Sequence, residues 1–500
     1  MVITSEEVRI IDSNSDELGV SVVQLMENAG ASAARIILEK FPDFNSFAIC
    51  CGTGNNGGDG MVVARHLASQ NKTITMILVG QESKINSDAT LKNFSILKQM
   101  EHSVKIINIT DSSKFPMLKH ELQNSELIID SLLGIGISSE PYEPIRSAIK
   151  AINNSNKKVL SIDLPSGMWS DIPKKTKLMV NADLIVTFHD TKPCLMIDEI
   201  KEKTIICNIG VPKEAEIFIG KGDLKAALPV RKPDSHKGEN GTILVVGGSI
   251  KYSGAPILTS RAALRTGADL VITCIPDSIA EVVRSDSPNM IVKSLPGDYL
   301  LPEHEKSILE IFEKFDSMVI GPGSSENPET AKLVVNLIRN APKDKPIIID
   351  ADALKAIKAD ISILKNKKTV LTPHFGEFNL LFEKTVPNDW FERMSFVKNI
   401  ADKYSTTILL KSKYDVISDG LNSKVNRTGH AGMTVGGTGD VLAGILGTLS
   451  AINKNLFRAT CGATYLAGKA GEYAAEDFGN SLLATDVIEK IPDVILSIKN

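Results

Sequence analysis

The run "SFAICCGTGNNGGDGMVVARHLASQ", residues 46–70, sets the fold class of the first part of this chain. It begins with a short apolar segment typical of a buried strand, passes through a glycine-rich segment and ends in a helical pattern. Gly52, Gly54 and Gly57 have the GxGxxG spacing of a strand–turn–helix unit whose backbone approaches a bound phosphate closely. The spacing alone is weak support for a nucleotide site.

The same segment also contains Asn55, Asn56 and Asp59. Packing a helix against a sheet requires small residues at such a turn, but it requires neither carboxamides nor carboxylates. A glycine-rich turn with solvated polar side chains is the plain alternative. We favour a loop that holds a phosphate-bearing ligand.

Composition bounds the class of protein. At 500 residues the chain is too long for one core, and its net charge of −4 gives no basic field for nucleic acid. The beginning "MVITSEEVRIID" is too acidic for a targeting peptide, and no run approaches the roughly 18 apolar residues of a membrane span. The six cysteines form no CxxC pair, so we interpret them as core thiols. We expect a cytoplasmic protein that binds neither nucleic acid nor a membrane.

Strand-like and helix-like runs alternate along the chain, which is typical of βαβ units around a mostly parallel sheet. The rhythm breaks near residues 208–224, and the polar stretch "PVRKPDSHKGENG" follows before a second alternation begins. We therefore predict two α/β domains with a boundary at about 212–225.

Local signals in the second alternation predict particular elements. Helical patterns cover 256–266, 328–340 and 391–403, the first with Pro256 at its start and Gly267 after its end. The stretch "YDVISDGLNSKVNR" predicts an antiparallel hairpin with Asp-Gly in its turn.

Polar residues follow three strand-like runs of the first domain. Asn56 follows one run, Asp130 ends the next, and Ser166 lies just after a third that ends in Asp163. The carboxyl ends of parallel strands meet at one crevice, so these side chains can converge there. Neutral oxygens with few charges suit a monovalent cation better than Mg²⁺. Asp163 could transfer protons in the same crevice. Taken singly, each residue is more often a strand-end cap.

The motifs "LMENAG", "GTGNNGGDG", "IIDSLLGIGI" and "SIDLPSG" closely resemble the NAD(P)H-hydrate epimerase domain, the YjeF N-terminal family. The resemblance implies that the substrate is held by Asn55, Asn56, Gly57, Gly58, Asp59, Gly134, Ile135, Gly136, Ile137, Ser138, Ser139, Glu140 and Asp163. It implies potassium binding by Asn56, Asp130 and Ser166. Some relatives have a lysine just after the second glycine loop, whereas "ISSEPYE" has none, which leaves the second acid–base partner unassigned.

The run "HAGMTVGGTGDVLAGILGTLSAI", residues 430–452, is the strongest element of the second domain. Gly436, Gly437 and Gly439 lie next to a long apolar helix, so their N–H groups can form an anion hole at its positive end. Asp440 can take a proton from a hydroxyl that attacks a phosphate. An N-cap aspartate after a plain glycine loop is the alternative.

With "YSGAP", "GPG", "DADAL", "TPHFGE" and "LKSKYD", this run resembles the ADP/ATP-dependent NAD(P)H-hydrate dehydratase family of ribokinase-like proteins. The resemblance implies substrate contacts at Ala255, Gly323, His374 and Asp440. It implies nucleotide contacts at Lys411, Ser412, Lys413, Tyr414, Asp415 and Gly439, with Mg²⁺ accompanying ADP or ATP. Many relatives have glycine where this chain has Ser412, and the sequence does not settle which nucleotide is used.

The predicted fold class is α/β with two domains. The two resemblances imply that residues 1–215 form a Rossmann-like α/β/α sandwich with epimerase activity and that residues 225–500 form a ribokinase-like α/β/α domain with dehydratase activity. The predicted ligands are the hydrates of NADH and NADPH together with ADP or ATP, and we expect a homo-oligomer. Two alternatives remain open. The second domain could be a vitamin-alcohol kinase, and the first could be a non-catalytic binding module.

Overall fold

The computed structural model describes residues 2–498, which divide into two units. The first unit ends at Pro212 and the second begins at Lys213. The segment just after the division belongs to the second unit, because Ile219 N donates a hydrogen bond to Val425 O at 2.9 Å. Within residues 2–498, no helix combines the length and the apolar character that crossing a membrane demands.

The described part of the first unit contains one sheet of seven parallel strands in the order β3-β2-β1-β4-β5-β6-β7. The strands are β1 (Ser46–Cys51), β2 (Thr73–Val79), β3 (Val104–Ile109), β4 (Leu127–Ser131), β5 (Lys158–Ile162), β6 (Leu184–Phe188) and β7 (Thr204–Cys207). The helices are α1 (Ser5–Glu17), α2 (Val22–Lys40), α3 (Asn55–Ala68), α4 (Asp88–Lys98), α5 (Phe115–Gln123), α6 (Ile145–Asn153) and α7 (Asp198–Lys201).

Both faces of this sheet are covered by helices, so apolar residues lie on both faces of its strands. Ile49 and Cys51 of β1 lie in one buried cluster, whereas Ala48 and Cys50 lie in another. The strand order reverses between β1 and β4, and a crevice opens at the carboxyl ends of strands at such a switch point.

The second unit contains a nine-stranded sheet in the order β10-β9-β8-β11-β12-β13-β14-β15-β16, parallel as far as β14. The strands are β8 (Thr242–Val246), β9 (Leu270–Pro276), β10 (Ile291–Leu295), β11 (Ser317–Ile320), β12 (Pro346–Ile349), β13 (Lys368–Leu371), β14 (Thr407–Leu410), β15 (Asp415–Ser418) and β16 (Ser423–Asn426). The helices are α8 (Lys213–Ile217), α9 (Lys221–Ala227), α10 (Gly254–Thr266), α11 (Ala280–Asp286), α12 (Glu305–Phe312), α13 (Pro328–Asn340), α14 (Asp352–Ala356), α15 (Phe375–Phe382), α16 (Trp390–Tyr404), α17 (Thr438–Ile452), α18 (Leu456–Phe478) and α19 (Ala484–Ser497).

Most of the local predictions are confirmed. The helix predicted at 328–340 is α13, and the hairpin is β15 paired antiparallel with β16. Helix α10 begins two residues earlier than predicted and is ended by Gly267 with φ +108°. The six cysteines are buried and free of disulfides, in agreement with core thiols.

One local prediction was wrong: the glycine-rich segment of the first unit is not a loop before the helix but the helix's first turns. Helix α3 begins at Asn55, within the glycine-rich segment and not after it. Glycine in a helix costs about 1 kcal/mol relative to alanine. The cost is offset because a side chain would not fit: a Cβ on Gly57 would lie 2.0 Å from Gly52 O.

Candidate active sites

A cavity of about 990 Å³ lies at the carboxyl ends of the strands of the first unit. Its walls include Asn56 after β1, at the start of α3, Gly134 after β4 and Asp163 after β5. These strands are neighbours in the sheet, so residues distant in sequence meet at one edge. The volume is in the range of small-molecule and cofactor sites.

Asp163 is held rigidly at this edge. Its backbone lies in the left-handed region with φ +63°, a conformation that aspartate tolerates better than most side chains. Asp163 Oδ1 accepts hydrogen bonds from Lys192 Nζ at 2.7 Å and from Thr187 Oγ1 at 3.1 Å. The other oxygen, Oδ2, lies 3.5 Å from the place that a Cβ on Gly134 would occupy. One oxygen is therefore anchored by the protein, and the other faces the glycine loop.

Lys192 forms an ion pair with Asp163, and sequence reasoning missed this residue. It is 2% exposed, and its ammonium also donates to Thr187 Oγ1 at 2.9 Å and to Phe188 O at 3.0 Å. A buried ammonium needs an opposite charge, and Asp163 supplies it. Lys192 follows β6, so its nearness to Asp163 is a consequence of the pairing of β5 with β6 and of no local motif.

Asp12 and Asp59 line the same cavity. Burial and, to a lesser extent, the charge of Asp163 raise the pKa of Asp12, Lys192 opposes them, and the net pKa is about 6. Burial also raises the pKa of Asp59 well above its ordinary value. Sequence reasoning missed Asp12 because it lies on α1, about 150 residues before Asp163.

The predicted potassium ligands lie in different surroundings. Asn56 is 9% exposed, and neither Oδ1 nor Nδ2 of its buried amide has a hydrogen-bond partner. Asp130 is fully buried and accepts hydrogen bonds from Ser166 Oγ at 2.6 Å, Ser166 N at 2.9 Å and Ser161 Oγ at 2.7 Å. A buried amide without a partner is costly, so Asn56 is the member of this set whose side chain is best placed to contact a bound ligand.

The two predicted phosphate loops differ in how completely they face the cavity. Asn55, Asn56 and Asp59 line it, while Gly57 and Gly58 let α3 pack closely behind them. Of the second loop, the part that lines the cavity is Gly134, Ile135, Gly136 and Ile137. Ser138, Ser139 and Glu140 are outside the cavity lining, and Glu140 instead pairs with Arg146 Nη2 at 2.7 Å.

In the second unit, four predicted residues and Asp350 follow successive neighbours in the sheet. These positions are Ala255 after β8, Gly323 after β11, Asp350 after β12, His374 after β13 and Lys411 after β14. Ala255 and Gly323 are adjacent, because a Cβ on Gly323 would lie 3.1 Å from the Ala255 Cβ. His374 and Lys411 form a parallel β-bridge. The sheet thus places all five at one edge.

Asp440 lies in the first turn of α17, where the free N–H groups and the helix dipole favour an anion. Burial and, to a lesser extent, the charge of Asp350 raise the pKa of Asp440, Lys411 opposes them, and the net pKa is about 7. A carboxylate with a pKa near neutrality is suited to general base catalysis.

Lys411 lies close both to Gly439, in the first turn of α17, and to Asp350, at the end of β12. Its Nζ donates to Asp350 Oδ1 at 3.0 Å and lies 3.7 Å from the place of a Cβ on Gly439. Burial favours the neutral amine, but Asp350, Glu377 and Asp440 outweigh it and raise the pKa of Lys411. The ammonium therefore stays charged beside the predicted anion hole. Asp350 lies in the quoted "DADAL" motif, but its role was not predicted.

The loop from Lys411 to Asp415 is held by its own side chains and by Arg393. Ser412 Oγ accepts from Arg393 Nη1 at 2.7 Å and donates to Tyr414 O at 2.6 Å. Asp415 Oδ1 accepts from Ser412 N at 2.8 Å. Lys413 is exposed. Ser412 and Asp415 thus use their side chains to shape the loop, which leaves its backbone and Lys413 to meet a ligand.

His374 has one ring nitrogen in a hydrogen bond, and the other, Nε2, lies 3.6 Å from Glu377 Oε2. It caps α15, with Nδ1 accepting from Glu377 N at 3.2 Å, and its side chain is 61% exposed.

Across residues 2–498 no group of three or more His, Cys, Asp or Glu side chains could hold a metal ion. Mg²⁺ often binds through one or two carboxylates and substrate phosphates, so the site fits a cation that arrives with the nucleotide.

Comparison with known proteins gives the same division of the chain. Residues 22–194 match the family model of the YjeF-related protein N-terminus, and residues 243–493 match that of NAD(P)H-hydrate dehydratase. A bifunctional NAD(P)H-hydrate repair enzyme of Methanothermobacter thermautotrophicus is 39% identical over 493 residues, covering 97% of this chain and 93% of that protein. One of the same name from Pyrobaculum aerophilum is 37% identical, covering 99% and 98%.

Solved structures resemble the second unit. The ADP/ATP-dependent NAD(P)H-hydrate dehydratase of Bacillus subtilis, co-crystallized with ATP and Mg²⁺, matches with a TM-score of 0.50 and 26% identity over 56% of this chain and 98% of that one. A ribokinase-like superfamily protein of Enterococcus faecalis matches with the same TM-score and 24% identity, covering 56% and 96%. The fold predicted for this unit is confirmed.

Proposed function

Because this chain belongs to the family of bifunctional NAD(P)H-hydrate repair enzymes, we propose that it restores NADH and NADPH from their hydrated forms. The first unit interconverts the R and S epimers at the hydroxylated ring carbon. The second unit dehydrates the S epimer at the expense of ADP or ATP. Both substrates are small molecules, and the volume of the cavity in the first unit supports this.

In the first unit, the substrate's phosphates lie at the beginning of α3, against Asn55 and the backbone of the glycine-rich turns. The free N–H groups of a helix N-terminus favour a phosphate. Asp163 then faces the ring, with Oδ1 fixed by Lys192 and Oδ2 able to exchange a proton with the substrate. A potassium ion held by Asn56, Asp130 and Ser166 would supply a positive charge beside these phosphates.

In the second unit, Asp440 takes the proton of the substrate hydroxyl as that oxygen attacks the terminal phosphoryl group of the nucleotide. The N–H groups at the start of α17 and the Lys411 ammonium stabilise the negative charge of the transferring group. Phosphate then leaves with the electrons of the C–O bond, and loss of a ring proton restores the double bond. Phosphorylation is needed because hydroxide is a poor leaving group.

The nucleotide site follows from the same edge of the sheet. Gly439 and the Lys411–Asp415 loop would contact the nucleotide, while Ala255, Gly323 and His374 would contact the substrate. Mg²⁺ bound to the nucleotide would neutralise its phosphates. The observation that carries the proposal is the position of Asp440, in the first turn of α17 and within the electrostatic reach of Lys411 and Asp350.

The test is the return of NADH absorbance from a mixture of the R and S hydrates, with potassium, magnesium and either ADP or ATP. We expect complete conversion by the unaltered protein, conversion of the S fraction alone by Asp163→Ala, and none by Asp440→Asn. A stable phosphorylated product would indicate a small-molecule kinase instead. If Asp163→Ala also converts the whole mixture as fast as the unaltered protein does, the first unit is a binding module.

The cytoplasmic location and the homo-oligomer stay predictions. Light scattering of the purified protein at several concentrations measures the oligomeric state directly, and a monomer at all concentrations would contradict it.

A further inference from the structure

Asp12 has no role in the chemistry described so far, although it lines the cavity of the first unit. Helix α1 is anchored beside the ion pair of Asp163 and Lys192: Ile3 N donates to Thr191 O at 2.9 Å, next to Lys192 in the chain. Ser5 N also donates to Asp171 Oδ1 at 2.7 Å. These bonds fix the helix that carries Asp12 as one wall of the cavity, separate from the sheet edge that carries Asp163.

The cavity itself shows that a ligand is expected here. Asn56 is 91% buried, and both polar atoms of its amide lack a partner. The structure records no hydrogen bond to the Asp12 carboxylate from any residue between 2 and 498. A carboxyl group that faces a cavity without a protein partner can bond to whatever occupies the cavity.

We propose that Asp12 is the second catalytic acid–base residue of the first unit, and that it exchanges a proton with the substrate hydroxyl on the ring face that Asp163 does not reach. The proposal rests on the epimerase function proposed above. The hydroxyls of the R and S epimers lie on opposite faces of the ring. A pair of carboxyl groups on different walls can serve both faces, whereas Asp163 alone serves one.

The step balances with water as the second reactant. Protonated Asp12 donates its proton to the hydroxyl, the C–O electrons leave with the departing water, and the ring nitrogen lone pair forms a C=N⁺ bond. A second water then adds its oxygen to the carbon from the other face as the C=N electrons return to nitrogen. Ionised Asp163 takes the proton of that water. Solvent exchange moves one proton back from Asp163 to Asp12, and the reverse reaction exchanges the roles.

The charged surroundings distinguish the two carboxyl groups. Lys192 Nζ lies 2.7 Å from Asp163 Oδ1, while burial and the charge of Asp163 raise the pKa of Asp12. Environments that separate two carboxyl groups in this way assign one as acid and the other as base. The other titratable groups that line the cavity are Arg9, Asp59, Lys84, Glu143 and His189.

The test compares epimerisation by the full chain and by Asp12→Asn, with Asp12→Glu as the conservative variant and Asp16→Asn on the exposed side of α1 as the matched control. We expect Asp12→Asn to lower kcat about 100-fold or more with KM changed less than about threefold. Asp12→Glu should recover part of kcat, and Asp16→Asn should match the unaltered protein. In the unaltered protein kcat should fall as the pH rises through the region near 6 in which Asp12 loses its proton. That fall should be absent from the residual activity of Asp12→Asn.

Turnover in H₂¹⁸O gives a second readout, the incorporation of ¹⁸O into the product. A purely structural role of Asp12 would not change this incorporation. The product epimer should contain one ¹⁸O atom per turnover above the uncatalysed background. Retention of the original oxygen would mean that the ring opens at its C–N bond, and it would overturn the proposed transfer. Normal kcat in Asp12→Asn would also overturn it, with the epimerase function intact. If the unaltered protein does not epimerise at all, the proposed function of the unit fails as well.

Discussion

Lys192 Nζ and Asp163 Oδ1 form a buried ion pair with an N–O distance of 2.7 Å in the first unit. The two residues are 29 positions apart and follow neighbouring strands. Replacing one member of a buried pair leaves the other charge without compensation, which costs about 3–5 kcal/mol. This pair therefore governs both the stability and the chemistry of the cavity.

The variant Lys192→Met should lower the stability of the first unit by about 3 kcal/mol and epimerisation by about 100-fold. Adding Asp163→Asn removes the uncompensated charge, so the double variant should regain most of the stability and none of the activity. Denaturant unfolding and epimer separation measure the two effects. Lys201→Met, at an exposed lysine of the same unit, is the control. Equal stability of Lys192→Met and the unaltered protein would contradict the importance of the pair.

Asp440→Asn should lower dehydration about a thousandfold, because it removes the general base. The base acts when ionised, so kcat/KM should rise with pH and level off above about 7, the pKa to which burial raises this group. Asp493→Asn, on the exposed surface of α19, should leave the profile unchanged. A pH profile that is flat between 5.5 and 8 in the unaltered protein would speak against Asp440 as the base.

The same substitution should stabilise the second unit at high pH. The folded state holds the Asp440 proton more tightly than the unfolded state does, so its contribution to stability is present at low pH and is lost as the pH rises toward 7. Asp440→Asn should raise the free energy of unfolding at pH 8 by about 1 kcal/mol or more and have little effect near pH 4. Denaturant titrations at both pH values check the sign, and a loss of stability at pH 8 would contradict it.

Lys411→Met should raise the KM for the nucleotide about tenfold and lower kcat about 100-fold, because a cation beside the anion hole is lost. Part of the loss of activity comes from Asp350, which would lose the hydrogen bond from the Lys411 ammonium. Asp350 Oδ1 would keep the hydrogen bond from Thr372 Oγ1 at 2.6 Å. Lys398→Met, at an exposed position of α16, is the control. Nucleotide titration calorimetry separates binding from catalysis, and unchanged affinity with unchanged kcat would remove Lys411 from the site.

Asn56→Leu should abolish any dependence of the thermal stability of the first unit on potassium. The amide offers an oxygen that has no protein partner, and leucine offers none at similar size. The thermal midpoint of the unaltered protein should rise on replacing sodium with potassium, whereas that of Asn56→Leu should not. Asn154→Ala, at an exposed asparagine of the same unit, should behave like the unaltered protein. If neither protein responds to potassium, the cation site is wrong.

Two glycines of the opening motif should respond differently to alanine. A Cβ on Gly57 would lie 2.0 Å from Gly52 O, whereas a Cβ on Gly54 would meet nothing within 4 Å. Gly57→Ala should therefore destabilise the first unit by about 2–4 kcal/mol, and Gly54→Ala should change its stability by less than about 1 kcal/mol. Urea unfolding of the two variants decides the matter, and equal effects would contradict the close packing of α3.

Much of the fold follows from local patterns. The alternation of apolar runs with helical runs predicts parallel α/β units because a strand buried on both faces is apolar throughout. Pro328 at the start of α13 and the Asp-Gly turn between β15 and β16 act within a few residues. The start of α3 was misplaced because glycine propensity was outweighed by packing against Gly52.

The sequence by itself determined the two α/β units, the family and the residues that lie in its motifs, such as Asp163 and Asp440. It determined them because a motif is a local pattern that can be recognised in the sequence alone. The carboxyl ends of parallel strands also lie at one edge of a sheet, whichever order the strands have. Only the tertiary structure decided that Lys192 and Asp12 join Asp163, and that Asp350 binds Lys411. These partners depend on which strands are neighbours and on where α1 is anchored, and no spacing in the sequence encodes either.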